Sequence, residues 1–69
     1  MKIKVNGKET LIKFPKQKIS LKHTLEYLGY RKDTVIVEFN NHIINSENWS
    51  NHIIEEGDKL EIVSIVGGG

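Results

Sequence analysis

The glycines at the end of the chain are the residues whose type and spacing best fit a chemical role. Gly67, Gly68 and Gly69 are three of the six glycines in the sequence. Glycine adds nothing to an apolar core and costs chain entropy wherever it becomes ordered. Three extended residues reach roughly 10 Å, and without Cβ atoms they fit a narrow channel. We expect this tail to enter another protein and present the carboxylate of Gly69 to a reagent; the alternative is a frayed end.

Other polar side chains give weaker signals. His23, His42 and His52 are separated by 19 and 10 residues, which matches no common metal-ligand spacing, and no cysteine assists them. We therefore expect surface or sheet-edge histidines, no metal and no cofactor. Ser20 and Ser46 lack the context of a nucleophile, and we interpret them as helix caps.

Charge is divided unevenly along the chain, although the net charge is only +1. Residues 1–22 hold seven lysines and one glutamate, whereas residues 33–69 hold seven acids and one lysine. Two solvated faces that attract each other explain this pattern, and so does steering of a partner. Arg31 is the only arginine, and no aromatic platform accompanies the lysines, so we expect no nucleic-acid binding.

One cluster of acids lies near the end of the chain and lacks the spacing of an EF-hand calcium loop. A solvated turn and a docking patch for a basic surface are both better interpretations. If the acids dock a basic surface of a partner, added salt should weaken the complex. The cluster consists of Glu55, Glu56, Asp58 and Glu61.

Length and composition indicate one small domain rich in strands. The chain has 69 residues and no cysteine, so neither a disulfide nor a zinc thiolate stabilises it. Ten isoleucines, five valines and no alanine favour strands over a helical bundle. No run approaches the roughly 20 apolar residues of a membrane span, and no signal peptide is evident. We therefore expect a soluble, cytoplasmic protein without membrane contacts.

A hairpin is predicted at the start of the chain. Residues 2–6 alternate polar and apolar side chains, as a half-buried strand does. Asn6-Gly7 is the strongest short-range hairpin signal. The returning strand is predicted over residues 10–14 and should stop at Pro15, which has no N–H to donate.

One short helix should follow the hairpin. Ser20 is a plausible N-cap. Leu21, Leu25 and Leu28 recur at helical spacing and form one apolar face. Gly29 supplies the C-terminal stop. Two turns of helix are too short to be stable alone, so the helix should pack on a sheet.

The second half of the sequence is predicted to consist mainly of strands. A hairpin, one helix and then further strands indicate an α+β domain, with the helix on one face of a mixed sheet of four or five strands. We divide the chain into a domain at residues 1–64 and an extended tail at residues 65–69. The predicted elements are a well-buried central strand at 35–39, a turn at 40–41, a strand at 42–44, a helical turn capped by Ser46, a turn at 55–58 and a last strand at 59–63.

Residues 57–69 carry a recognisable signature. It consists of Gly57-Asp58, then Leu60-Glu61-Ile62-Val63, two further residues, and Val66-Gly67-Gly68-Gly69. This segment resembles the C-terminus of the sulfur-carrier (ThiS) family of thiamin biosynthesis. The likeness covers nearly the whole chain, although Phe39 and Asn45-Ser46 depart from the family pattern. Further matching positions are Val5-Asn6-Gly7, Val37-Glu38, Asn40, Ile43-Ile44 and Trp49.

The resemblance implies the β-grasp fold of ubiquitin and a defined reaction cycle. An ATP-dependent, E1-like enzyme would adenylate Gly69, and sulfur from cysteine, delivered as a persulfide by a desulfurase, would displace AMP. The resulting thiocarboxylate would donate its sulfur to thiazole synthase. The chain would then be a co-substrate and not an enzyme, with ATP used by its partner. The residues expected to contact partners are Gly67, Gly68, Ile65, Val66, Glu61 and Asp58.

Other functions fit the same tail. The small subunit of molybdopterin synthase shares the fold and the terminal thiocarboxylate, but an aromatic- and proline-rich stretch before its glycines is missing from residues 61–66. A carrier for cysteine or tRNA sulfur is a further possibility within this class. Outside it lie a ubiquitin-like modifier that forms isopeptide bonds and a pure interaction domain.

Overall fold

Strands dominate the part of the chain that the computed structural model describes, residues 1–13 and 18–65. One α-helix and two short 3₁₀ helices connect them. In chain order the elements are β1 (Lys2–Val5), β2 (Lys8–Leu11), β3 (Ile19–Ser20), α1 (Leu21–Tyr27), a 3₁₀ helix at Lys32–Thr34, β4 (Val35–Phe39), β5 (His42–Ile44), a 3₁₀ helix at Ser46–Asn51, β6 (Ile53–Ile54) and β7 (Lys59–Ser64).

Five strands form one mixed sheet in the order β2-β1-β7-β4-β5. The last strand, β7, lies at the centre, parallel to β1 and antiparallel to β4. The other two pairs are antiparallel hairpins. The predicted α+β class and mixed sheet are therefore confirmed. A second ladder, which the sequence did not predict, pairs the two-residue strands β3 and β6.

The first hairpin turns at Asn6 and Gly7, which both have positive φ, at 52° and 82°. These angles suit the two-residue turns that match strand twist. Such a turn places Lys8 directly opposite Val5, so β2 begins at Lys8 and ends at Leu11. The predicted strand over residues 10–14 therefore overlaps β2 only at residues 10 and 11, and its start was placed two residues too late. Of that prediction, Phe14 and Pro15 lie outside the described residues.

Helix α1 forms as its sequence pattern predicts. The Ser20 hydroxyl accepts a hydrogen bond from the His23 N–H at 3.1 Å, which caps the first turn. Leu21 and Leu25 are fully buried, and Leu28 packs against the core while partly exposed. The cap expected at Ser46 is wrong, because Asn45 precedes that 3₁₀ helix and makes no side-chain cap hydrogen bond.

The apolar core lies between α1 and one face of the sheet. Along β1, β4 and β7 its members alternate with more exposed residues, so each of these three interior strands presents one face to the core. The second 3₁₀ helix adds Trp49, whose indole N–H donates to the Ile44 carbonyl at 2.9 Å. The buried apolar residues are Ile3, Ile12, Ile19, Leu21, Leu25, Val35, Val37, Trp49, Ile54, Leu60 and Ile62.

Candidate functional site: the last strand and the base of the tail

The start of β7 is fixed by side-chain hydrogen bonds from neighbouring turns. The Asn40 amide oxygen accepts from the Lys59 N–H at 2.9 Å, and its NH₂ donates to Asp58 Oδ1 at 3.1 Å. The other Asp58 oxygen accepts from the Glu55 N–H at 2.6 Å. Asp58 was expected to contact a partner, but both of its carboxylate oxygens already accept hydrogen bonds, one from its own turn and one from Asn40 of the β4–β5 turn.

The middle of β7 is held by Asn6, which follows the neighbouring strand β1. Its side-chain oxygen accepts from the Ile62 N–H at 2.6 Å, and its backbone N–H donates to the Leu60 carbonyl at 2.8 Å. Leu60 and Ile62 point into the core and are 0% and 7% exposed. The strand that leads to the tail is thus anchored by both its backbone and its inner side chains.

The end of β7 leads to the tail at Ile65. Ser64 is the last residue of the strand, and the Ile65 N–H still donates to the Thr34 carbonyl at 2.9 Å. The Ile65 side chain is 46% exposed, which suits its expected role as an apolar partner contact. The remaining residues predicted for the tail, Val66, Gly67, Gly68 and Gly69, lie outside the described residues.

An apolar patch lies on the outer face of the sheet beside Ile65. Ile36 of β4 is paired with Val63 of β7, and Ile43 of β5 projects from the same face. These side chains are 42%, 58% and 64% exposed. Ile36, Ile43 and Ile65 line one shallow hollow of about 370 Å³. We call Ile36, Ile43, Val63 and Ile65 the outer apolar patch.

Glu61 lies next to this patch and directly opposite Glu38 on β4. Ile43 is the partner of Glu38 on its other side, so the acids adjoin the apolar side chains. Both glutamates are half-buried, and neither carboxylate has a hydrogen-bond or ion-pair partner within residues 1–13 and 18–65. We call Glu38 and Glu61 the acidic pair. Glu61 and Ile65 therefore share one surface, whereas Asp58 lies at the far end of β7.

The remaining acids of the predicted docking patch are separated from this surface. One Glu56 oxygen accepts a hydrogen bond from the Lys2 N–H at 3.0 Å and so links the turn to the start of β1. Glu55 is exposed on the same turn. The four acids that are close in sequence therefore divide between a structural turn and the outer face of the sheet.

The histidines do not converge. His42 Nδ1 lies 3.1 Å from the Asn40 carbonyl, and the His52 ring packs edge-on against Phe39 at 5.6 Å between centroids. Among the described residues, no group of three or more His, Asp or Glu side chains is placed to hold a metal ion. No helix in the same part of the chain is long and apolar enough to cross a membrane.

Sequence reasoning missed Ile36, Ile43, Val63 and Glu38 as surface residues. Residues 35–39 were interpreted as a well-buried central strand. β4 is an interior strand between β7 and β5, but the centre of the sheet is β7 and Ile36 lies on an open face. The available signal was the charge at Glu38, which in a strand shares its face with Ile36.

The chain matches a family model and several curated proteins. The model of the ThiS family matches residues 3–69, which include the glycine tail. A protein named ycf40 from Trieres chinensis is 38% identical over 65 residues, covering 94% of this chain and 85% of its own length. The sulfur carrier protein ThiS of Escherichia coli is 31% identical over 45 residues, covering 65% of this chain and 68% of its own.

A solved structure supports the same assignment. The crystal structure of the thiamine biosynthesis protein ThiS from Geobacter metallireducens superimposes with a TM-score of 0.82 and 26% identity, over 100% of both chains. The β-grasp fold expected from the resemblance is thereby confirmed. The chain therefore belongs to the ThiS family, the sulfur carriers of thiamine biosynthesis.

Proposed function

We propose that this protein carries sulfur as a thiocarboxylate on Gly69 and delivers it for thiazole formation. The observation that carries the proposal is the family match, which extends through residue 69 and so includes the three glycines. The anchored strand β7 supports it as well, because a rigid body that ends at an exposed Ile65 gives a partner a fixed point from which to take the tail.

The chemistry follows from the reactivity of a carboxylate. A carboxylate is a poor electrophile, so an E1-like partner would first attach AMP from ATP and release pyrophosphate. A persulfide supplied by a cysteine desulfurase would then attack the acyl carbon and expel AMP. A thiol would break the resulting S–S bond and leave the thiocarboxylate, which thiazole synthase would consume. Under this proposal the carrier acts as a co-substrate in the cytoplasm.

The body of the chain suits recognition by a partner, because hydrogen bonds from Asn40 and Asn6 hold β7 in place. Each of the proposed activation steps draws its ATP, its sulfur and its catalytic groups from a partner. The body of this chain then serves for recognition, and the tail serves as the reacting group.

The test is intact-mass spectrometry after loading. The purified chain is mixed with ATP, an activating enzyme, a desulfurase and cysteine, and should gain the mass difference of sulfur replacing oxygen. A variant extended by one alanine after Gly69 should not load, because its terminal carboxylate is displaced by one residue. Thermal unfolding of both chains checks that the body is unchanged.

Three results would contradict the proposal. Full loading of the extended chain would show that Gly69 is not the reacting residue. Attachment of the chain to lysines of larger proteins would assign it to the ubiquitin-like modifiers. A loaded chain that supplies sulfur to molybdopterin synthase but not to thiazole synthase would assign it to a different pathway.

A further inference from the structure

The outer face of the sheet joins two features that are unfavourable in an isolated domain. The outer apolar patch exposes Ile36, Ile43 and Val63 to water, each by more than two-fifths of its surface. Beside it, the acidic pair places two like charges directly opposite each other on adjacent strands. Such pairs destabilise a sheet, and exposed apolar clusters mark interaction sites.

No positively charged side chain among the described residues forms an ion pair with the acidic pair. The closest lysine along the strand is Lys59, the preceding outward residue of β7, about 7 Å away in strand geometry. Lys59 lies beside Lys4 of β1 instead, and no ion pair joins either lysine to Glu38 or Glu61 within the described segments. At the start of β7 the face carries Lys4 and Lys59, with Glu9 directly opposite Lys4. The acidic pair lies in the middle of the face, and the outer apolar patch lies at the end that leads to Ile65.

Under the proposed function, chain length limits where the activating enzyme can sit. Gly69 is four residues beyond Ile65 in the sequence, and four extended residues span at most roughly 14 Å. An enzyme that encloses the Gly69 carboxylate must therefore reach the end of β7 at which Ile65 lies. The outer apolar patch lies at that end, where Lys32 and Asp33 line the same hollow, and the acidic pair adjoins the patch.

We propose that the outer apolar patch and the acidic pair form the docking surface for the activating enzyme, and that this enzyme presents apolar side chains around an arginine that binds both Glu38 and Glu61. A planar guanidinium has enough donors to bridge two carboxylates, which a compact ammonium matches less well. This inference rests on the proposed function and identifies the chemistry of its partner.

A second copy of the chain fits this face poorly. In a two-fold dimer that sets Lys4 and Lys59 of one copy over the acidic pair of the other, the two apolar patches fall at opposite ends and stay uncovered. In a two-fold dimer centred on the apolar patches with the strands running the same way, the acidic pairs of the two copies lie over each other. With the strands running in opposite directions, the acidic pairs fall on opposite sides of the shared patch and neither gains a basic partner. Charge complementarity therefore favours a different protein with a basic and apolar surface.

The test compares binding and stability in matched variants. The variant E38Q/E61Q keeps the shape of the pair but removes its charge, and E26Q removes an exposed charge from α1 as a control. Calorimetry measures the dissociation constant for the activating enzyme at low and high salt. We expect E38Q/E61Q to bind about tenfold more weakly and with less salt dependence, while E26Q binds as the parent does.

A second pair of variants tests the apolar contribution. V63T keeps the branched shape of valine and adds a hydroxyl on the outer face, while I53T makes a similar change at another exposed strand position. V63T should weaken binding about threefold, and I53T should not. The thermal midpoint of E38Q/E61Q should be equal to or above that of the parent, because the substitutions remove the repulsion between two like charges. A structural role for the pair predicts a lower thermal midpoint.

Each outcome decides between the proposals. If E38Q/E61Q binds the activating enzyme as tightly as the parent does, or if it loses only sulfur transfer to thiazole synthase, the proposed docking surface is overturned. The proposed function still stands in that case, provided that the parent chain gains sulfur. A dimer that sedimentation detects in the parent but not in E38Q/E61Q would assign the face to a second copy and overturn it as well. A parent chain that binds the enzyme through these residues but never gains sulfur would overturn the proposed function alone.

Discussion

The two sides of β7 differ sharply in how they are used. The inner side chains, Leu60 and Ile62, are nearly inaccessible to water and pack beneath the helix. The outer side chains, Glu61 and Val63, face solvent beside another glutamate and another exposed isoleucine. The same six-residue strand thus contributes to the core on one side and leaves an uncovered surface on the other.

This difference teaches where the stability of the domain resides. In a chain of this size a single core supplies only about 3–5 kcal/mol of folding free energy. The loss of one buried side chain on the inner side of β7 can therefore unfold the domain. The outer side places two glutamates opposite each other and leaves apolar side chains exposed, so it contributes less to the stability of the isolated chain. Substitutions on the two sides should therefore have opposite effects on folding and on binding.

The largest effect is expected from L60A. Leu60 is completely buried at the centre of the sheet, and truncation of a buried leucine costs about 2–5 kcal/mol. Because this approaches the total stability of so small a domain, the variant should be largely unfolded near body temperature. Urea titration followed by circular dichroism measures the change. A loss below about 1 kcal/mol would contradict the central role of the inner side.

An intermediate effect is expected from N6G. Glycine keeps the positive φ of 52° at this position but removes the oxygen that accepts the Ile62 N–H. Loss of this partner at a half-buried donor should cost about 1–2 kcal/mol. Asn41 also has positive φ, at 75°, and makes no side-chain hydrogen bond within the described residues. N41G is therefore the matched control, and equal losses in both variants would refute a specific role for the Asn6 amide.

The smallest effect on stability is expected from V63T. The side chain is 58% exposed, and both residues suit a strand, so the free energy of unfolding should change by less than about 0.5 kcal/mol. Denaturant unfolding of V63T and L60A under the same conditions measures both changes in the free energy of unfolding. A loss above about 1 kcal/mol would show that the outer side also supports the fold and would weaken the contrast between the two faces.

Local signals made the hairpin turn and the helix predictable from the sequence. Asn6-Gly7 forms the turn that its backbone preferences require, and Ser20 caps the helix whose leucines enter the core. The returning strand was misplaced because the register follows from the turn and not from the apolar residues further along. The ladder between β3 and β6 has only two residues in each strand, too few for any alternating pattern to be visible.

The candidate surface was harder to predict because it depends on contacts that are distant in sequence. Glu38 and Glu61 become neighbours only through the register of β4 against β7. Asp58 and Glu61 were grouped because they are close along the chain, yet the turn engages the first and the strand exposes the second. The tail stays a prediction beyond Ile65, because residues 66–69 lie outside the part of the chain that the structure describes.

The central position of β7 has a consequence for how the protein is made. Without residues 59–64, the β1–β2 hairpin and the β4–β5 hairpin share no strand, and isolated two-stranded hairpins are marginal in water. The five-stranded sheet therefore closes only after residue 64 has been synthesised. Products truncated before β7 should remain unfolded and be open to proteases, whereas any product that includes residues 59–64 can complete the sheet.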